Sequence, residues 1–139
     1  MPESERHAQL VSLLTDYIAV RHGRNPGLCI YSDRSDTRRD EKPRRVEGFV
    51  PDVLAITVPS SFTIIGEAKT YADLGTPRSR SQVRAFLRFL QYSVRPHFIL
   101  AVPYPAYAFA FYVVQALKRE VAASSVSTEI ITPGTRGDR

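Results

Sequence analysis

The chain has 139 residues, of which 43% are hydrophobic and 24% are charged, a composition typical of a globular protein and not of a disordered one. Its single cysteine, Cys29, excludes an internal disulfide and a cysteine-based zinc site. The formal net charge of +5 favours an acidic partner such as nucleic acid. Since the basic residues comprise 16 arginines and only 3 lysines, each retained lysine is a candidate for a role that arginine cannot fill.

The first part of the chain predicts a helix, a short strand and a charged loop. Residues 4–21 repeat apolar side chains at helical spacing, which indicates an amphipathic helix with Ser4 as its N-cap. Helix-breaking residues follow at 22–27, and residues 28–32 have the apolar character of a strand. Residues 33–48 carry mostly charged side chains with almost nothing to bury, so we expect an exposed loop.

The second part of the chain alternates between strand and helix patterns. We expect strands at 50–58 and 61–70, a helix at 78–92, a strand at 97–102, a helix at 105–121 and a last strand at 127–131. The resulting order, α-β-β-β-α-β-α-β, is typical of an α/β or α+β sheet with helices packed against it. We expect one domain over residues 1–131 and a disordered tail at 132–139.

Neither a membrane span nor a secretion signal is predicted. Residues 98–117 carry no charge, but Pro103 and Pro105 divide this run into a strand-like and a helix-like piece. The first residues are charged and lack an apolar stretch, so no signal peptide is visible. We therefore expect an intracellular protein that does not cross a membrane.

The strand pair around Pro59-Ser60 carries the most informative polar residues. If these two residues form the turn, Asp52 faces Glu67 directly across the pair, and Lys69 points to the same side as Glu67. Two opposed carboxylates are unfavourable unless a positive charge lies between them. Lys69 could partly supply that charge and a divalent cation could supply it better. Oxygen ligands favour Mg²⁺ or Mn²⁺ over zinc. The alternative is a solvated ion-pair cluster of little energetic value.

The spacing of these residues resembles a known family. Pro51-Asp52, a gap of fourteen residues and Glu67-Ala68-Lys69 are similar to the motif of the PD-(D/E)XK nuclease superfamily. The flanking segments Gly48-Phe49-Val50-Pro51-Asp52 and Gly66-Glu67-Ala68-Lys69-Thr70 also resemble it. The resemblance covers residues 4–102 as architecture, and it implies the restriction-endonuclease-like α-β-β-β-α-β core.

The resemblance also implies a chemistry for the motif. Asp52, Glu67 and the backbone carbonyl of Ala68 would bind Mg²⁺ (or Mn²⁺), and Lys69 would orient or help to deprotonate the water that attacks phosphorus. The function implied is a magnesium-dependent deoxyribonuclease, an endonuclease that hydrolyses phosphodiester bonds. Two alternatives stay open. One is a catalytically silent DNA-binding module, or a subunit of a larger DNA-processing or defence complex. The other is a protein-interaction subunit that uses the aromatic helix.

Two polar residues on helices are further candidates for the site. Gln82 is similar to the glutamine that many members of the family place on the helix after the motif, although it could equally be a border residue of an amphipathic helix. His7 could contact the metal water or a phosphate, or be a polar boundary residue. Glu3 and Glu5 are most simply favourable charges at a helix N-terminus.

The basic charge falls on one helix and one loop. Such residues would contact the DNA backbone and supply salt-dependent affinity without reading the sequence. The alternatives are a solvated helix face and a disordered insertion. The candidate DNA-binding residues are Arg44, Arg45, Arg78, Arg80, Arg84 and Arg88.

The helix predicted at 105–121 is apolar on nearly all sides, which is the pattern of a buried helix. A chain this short has limited means to bury such a helix by itself. We therefore expect a homodimer that pairs through this helix, the alternative being a core helix covered within one chain.

Overall fold

The computed structural model describes residues 3–34, 41–58 and 61–134 of the chain. Within these ranges it contains four α-helices and five β-strands, a mixed α+β fold as the sequence predicts. The helices are α1 (Glu3–His22), α2 (Tyr71–Leu74), α3 (Pro77–Leu90) and α4 (Tyr107–Glu120). The strands are β1 (Leu28–Ser32), β2 (Val53–Thr57), β3 (Thr63–Ala68), β4 (Pro96–Ala101) and β5 (Ser127–Ile131).

The strands form one mixed sheet in the order β1-β2-β3-β4-β5. The pairs β1–β2 and β2–β3 are antiparallel, whereas β3–β4 and β4–β5 are parallel. Strands β3, β4 and β5 therefore end at the same edge of the sheet. We call this edge the carboxyl edge, and crevices outside such an edge are common ligand sites.

The predicted register of the β2–β3 pair is confirmed. Val53 pairs with Gly66 and Ile56 pairs with Thr63, the alignment that brings Asp52 opposite Glu67. The turn at 59–60 on which the prediction was based lies outside the described residues.

Strand β2 is shorter than the predicted 50–58, because a separate bridge between Val46 and Phe49 comes before it. Glu47 and Gly48 both have positive φ between these two residues, as the central residues of a type I′ turn require.

Helices cover both faces of the sheet, as expected for strands that are apolar on both sides. One face packs against α1, with Leu14 and Ile18 of the helix against Ile64 of β3. The opposite face packs against α3 and α4, with Phe86 and Val113 among the buried residues. Each helix thus buries one apolar stripe, and the sheet is the layer shared by two hydrophobic clusters.

Three sequence predictions need correction. Ser4 is not an N-cap, because α1 begins at Glu3 and Ser4 lies inside its first turn. The charged loop does bury apolar groups: Pro43 is buried, and Val46 packs into the core beneath α3. The short helix α2 was not predicted, because its four residues are too few for a periodic pattern.

The helix predicted at 105–121 begins as a 3₁₀ turn (Tyr104–Ala106) and continues as α4. It buries only one face, formed by Ala110, Val113, Val114 and Leu117. The alternative of a core helix covered within one chain is therefore wrong, and the expected homodimer through this helix stays a prediction. No helix in the described ranges is long and apolar enough to cross a membrane. Of the tail, residues 132–134 are described, and the predicted disorder of 135–139 falls outside the described part.

Candidate active site

The predicted motif residues meet at the carboxyl edge of β3. Asp52 directly precedes β2, Glu67 and Ala68 are the last residues of β3, and Lys69 follows at once. Asp52 and Lys69 are each 8% exposed and Glu67 is 2% exposed. Because all three charged residues are buried, a solvated surface cluster does not describe them.

Backbone hydrogen bonds hold the two carboxyl groups across the strand pair. The N–H of Asp52 donates to Oε1 of Glu67 at 3.0 Å, and the N–H of Ala68 donates to Oδ2 of Asp52 at 2.8 Å. The Asp52 carbonyl in turn accepts the N–H of Asp33, beyond the end of β1, at 2.8 Å. Each carboxylate therefore has one oxygen fixed by the opposite strand, and the site is as rigid as the sheet.

The two carboxyl groups have opposite pKa shifts. Burial, followed by the negative charge of Asp52, raises the pKa of Glu67 well above its usual value. Burial also acts to raise the pKa of Asp52, but hydrogen bonds with His7, Glu67 and the Ala68 N–H outweigh it, so this pKa is lowered. The pair thus favours one ionised and one protonated carboxyl group, as expected of two acids in close contact.

Lys69 lies between the acidic pair and α3. Its Nζ is 3.3 Å from Oε2 of Glu67 and donates a hydrogen bond to Oε1 of Gln82. Its backbone N–H donates to the carbonyl of Ala101, at the end of β4, at 3.0 Å. Gln82, which the resemblance made a further candidate for the site, therefore lies in hydrogen-bond contact with the Lys69 ammonium group, and its role stays a prediction.

His7 joins the site from α1. Its Nε2 lies 3.3 Å from Oδ2 of Asp52. The hydrogen bond with Asp52 raises the pKa of His7, although burial acts in the opposite direction. A raised pKa favours the protonated imidazolium, which has no free nitrogen lone pair for a metal. Of the two acidic residues near the start of the helix, Glu5 is exposed and Glu3 begins α1.

The donor set, which consists of oxygen atoms only, fits a hard divalent cation better than zinc. Within the described ranges no group of three or more His, Cys, Asp and Glu side chains is arranged to hold a metal ion. Mg²⁺ commonly uses only one or two carboxylates and completes its shell with waters and substrate phosphates. Asp52, Glu67 and the Ala68 carbonyl are oxygen donors of that kind, so these residues fit Mg²⁺ or Mn²⁺.

The predicted basic residues separate into two groups. Arg78 is one helical turn from Gln82 and therefore shares its side of α3, where its guanidinium lies 5.8 Å from the centre of the Phe49 ring. Arg84 lies on the flank towards α4, because it forms a salt bridge of 2.9 Å with Glu120. Exposure also differs between the members of the set: Arg44, Arg45, Arg78 and Arg88 are exposed, and Arg80 and Arg84 are half-buried.

Three features of the site were missed in the sequence. Gly66 lets α1 approach β3 closely, since a Cβ at this position would lie 2.8 Å from Cδ2 of Leu14. The hydroxyl of Thr70 is buried and has no hydrogen-bond partner within the described part of the chain. The Ala101 carbonyl fixes the Lys69 backbone. Of these three features, only the role of Gly66 could have been predicted from the sequence, because a glycine inside an apolar strand often marks close backbone approach.

Comparisons with known proteins add no relative: no family model, no curated protein and no solved structure matches the chain. Membership in the nuclease superfamily therefore stays a prediction from the residues.

Proposed function

We propose that the chain is a magnesium-dependent deoxyribonuclease that hydrolyses phosphodiester bonds. The observation that supports this most is the burial of Asp52, Glu67 and Lys69 together at one sheet edge. Burying three charged groups costs free energy unless they are paired with opposite charges or bind a metal ion. Retaining them in a small core is typical of a functional site, and the strongly raised pKa of Glu67 is a further sign of one.

In this proposal each residue has a distinct task. Asp52, Glu67 and the Ala68 carbonyl hold the cation, which when bound lowers the pKa of a water and neutralises charge on the phosphoryl oxygens. Lys69 offers its ammonium protons to the attacking water or to the phosphate. Gln82 keeps this ammonium in place through its Oε1. His7 orients the Asp52 carboxylate through the contact at Oδ2.

We propose the restriction-endonuclease-like core as the finer description of the fold. Leaving out the short α2, the elements from α1 to β4 follow the order α-β-β-β-α-β that the resemblance implies. Helices α1 and α3 lie on opposite faces of the sheet, and the motif occupies β2 and β3 at its centre. The added α4 and β5 extend the sheet on the β4 side.

DNA is the proposed partner, and Arg78 is the arginine best placed to contact it near the reaction centre. It is exposed and shares the Gln82 side of α3, and Arg44 and Arg45 lie in the same segment as Phe49 below it. Arg80, Arg84 and Arg88 occupy the other flank, and Arg84 is already paired with Glu120. We therefore propose that Arg78, Arg44 and Arg45 contact the DNA backbone near the site.

We also propose a homodimer through α4. Its outer face carries Tyr107, Phe111 and Tyr112, which are 47%, 51% and 64% exposed. Aromatic residues are enriched at subunit interfaces, and a cluster of them on one helix is unusual on an unpartnered surface. A second copy of the same face is the occupant that symmetry makes simplest.

The decisive test compares Lys69→Met and Asp52→Asn with a lysine variant away from the site. Purified proteins are incubated with Mg²⁺ and with single-stranded, duplex and four-way-junction DNA. We expect each site variant to lose at least about 100-fold in cleavage rate, since it removes a group that acts on the reacting phosphate. Lys118→Met removes the same charge on α4, and this control should cleave like the unaltered chain.

Unfolding curves establish that the variants are folded, and EDTA should abolish cleavage by the unaltered chain. Cleavage that persists in EDTA, or at full rate in Lys69→Met, contradicts the proposed mechanism. Binding to DNA without cleavage under any divalent cation identifies a catalytically silent module instead.

A further inference from the structure

A cavity of about 760 Å³ lies beside the candidate site, and the proposed hydrolysis does not use it. Its walls come from the first half of α1 and from the residues that follow β3, β4 and β5. Two wall residues are the direct neighbours of site residues, since Arg6 precedes His7 and Thr70 follows Lys69. Its volume is in the range of pockets that enclose a drug-sized organic molecule.

The wall combines apolar surface with a few polar groups. Leu10 and Leu13 of α1 supply aliphatic surface, and Tyr71 supplies an aromatic ring that is 60% exposed. Gln9 is exposed on the same wall, and its amide both donates and accepts hydrogen bonds. This combination suits a flat molecule that has apolar faces and a polar edge.

Thr70 adds a second and independent observation. It belongs to the wall, it is only 3% exposed, and its Oγ1 has no hydrogen-bond partner among the described residues. Although Thr70 is the N-cap residue of α2, its side chain makes no capping bond. A buried hydroxyl without a partner is costly, and a rotation of the side chain towards the cavity would let a ligand remove that cost, since Oγ1 itself exposes less than 1 Å².

Charge and position narrow the class of ligand. Arg6 places a positive charge on the wall, which favours a ligand that carries phosphate. The cavity adjoins the residues assigned to the scissile phosphate, so one strand could serve both places. A base stacked inside a duplex has both faces covered by its neighbours, and it reaches such a pocket only when it leaves the stack.

We infer that this cavity binds one unstacked nucleobase of the substrate strand, next to the phosphate that is cut. The inference rests on the proposed nuclease function and adds a substrate class to it: single strands, or duplexes whose base can be extruded. Tyr71 stacks on the base and Gln9 meets its polar edge, which the Thr70 hydroxyl reaches after a rotation of its side chain.

The test measures DNA binding without catalysis, by fluorescence anisotropy of a labelled oligonucleotide in EDTA. Tyr71→Ala should weaken binding of a short single strand by about 5- to 150-fold, the range for one lost stacking contact. Binding of the matching fully paired duplex should not change, because its bases stay in the stack. Tyr92→Ala is the matched control, since Tyr92 is 85% exposed and is not part of the cavity wall.

A second arm replaces single nucleotides of the strand by abasic sites. One abasic position should weaken binding as much as Tyr71→Ala does, and the combined loss should be less than the sum of the two. Gln9→Ala, a change at another exposed residue, should also lower single-strand affinity. Unchanged single-strand affinity in Tyr71→Ala, or an equal loss for the strand and the fully paired duplex, overturns the inference.

The outcome is separable from that of the proposed function. If the chain cleaves DNA with Mg²⁺ but its strand binding does not depend on Tyr71, the nucleobase pocket is contradicted and the proposed nuclease function is supported. If strand binding depends on Tyr71 but no DNA is cleaved, the nucleobase pocket is supported and the proposed nuclease function is contradicted.

Discussion

The site depends on carboxyl groups that the backbone holds closer together than free ions would stay in water. Asp52 and Glu67 each receive a backbone N–H from the opposite strand, so neither can rotate away to relieve the repulsion. The opposite directions of their pKa shifts express that constraint. A pair held in this way suits the divalent cation that we propose for the site, because a cation between the two carboxyl groups would offset their repulsion.

Gly66 is the residue whose replacement tests how α1 reaches this pair. A Cβ added there would lie 2.8 Å from Cδ2 and 3.0 Å from Cγ of Leu14, a fully buried side chain. We expect Gly66→Ala to lower the free energy of unfolding by about 1–3 kcal/mol, as overpacking of a core does. Urea denaturation of the purified variant measures this difference.

A double-mutant cycle identifies the cause of that loss. In a Leu14→Ala background the added methyl group has room, so Gly66→Ala should cost clearly less there than in the unaltered chain. Strictly additive effects would show that Leu14 is not what the new Cβ meets.

At the scale of elements, α3 and α4 divide the second face of the sheet between a site helix and a surface helix. Helix α3 contributes Gln82 to the site and Phe86 to the core. Helix α4 packs beside it, with the Arg84–Glu120 salt bridge joining the two. The outer face of α4 is then left with aromatic residues in solvent, which is the basis of the proposed dimer.

The α4 interface predicts a change of mass in solution. Phe111→Glu combined with Tyr112→Glu places two charges on the outer face, and these would be desolvated on pairing, so the variant should sediment as a monomer. Tyr92→Glu is the control, because Tyr92 is equally aromatic, more exposed and remote from α4 in sequence. Sedimentation velocity of the unaltered chain as a monomer at all concentrations would contradict the dimer.

For the whole molecule, local patterns predict the elements and the strand register, whereas the packing between distant elements is not visible in the sequence. The assumption of a two-residue turn at Pro59-Ser60 was enough to place Asp52 opposite Glu67. The contact between His7 and Asp52 depends on how closely α1 approaches the sheet. The Arg84 salt bridge likewise depends on α4, which lies far along the chain, so helical spacing alone suggested a free basic stripe.

The end of the sheet opposite the carboxyl edge holds two histidines that should make stability depend on pH. The two imidazoles form a cluster with the ring of Phe62: its centroid lies 5.2 Å from that of His22 and 4.6 Å from that of His97, and the two imidazole centroids are 5.8 Å apart. Burial lowers the pKa of both histidines. The positive charge of His97 further lowers the pKa of His22, and the positive charge of the neighbouring Arg95 further lowers the pKa of His97. The folded chain therefore binds fewer protons here than the unfolded chain just below the ordinary histidine pKa.

Above about pH 6.5, the ordinary histidine pKa, these two histidines do not reduce the free energy of unfolding. They reduce it as the pH falls from there towards their lowered pKa values in the folded chain. His7 titrates in the opposite sense, because its pKa is raised, so the unaltered chain alone does not isolate the effect. The measurement is the difference in free energy of unfolding between the unaltered chain and His22→Gln/His97→Gln, by urea titration from pH 8 to pH 5. We expect the variant to lose less stability than the unaltered chain over that interval. Parallel pH profiles would contradict the prediction, since they would mean that both imidazoles protonate as freely in the folded chain as in the unfolded one.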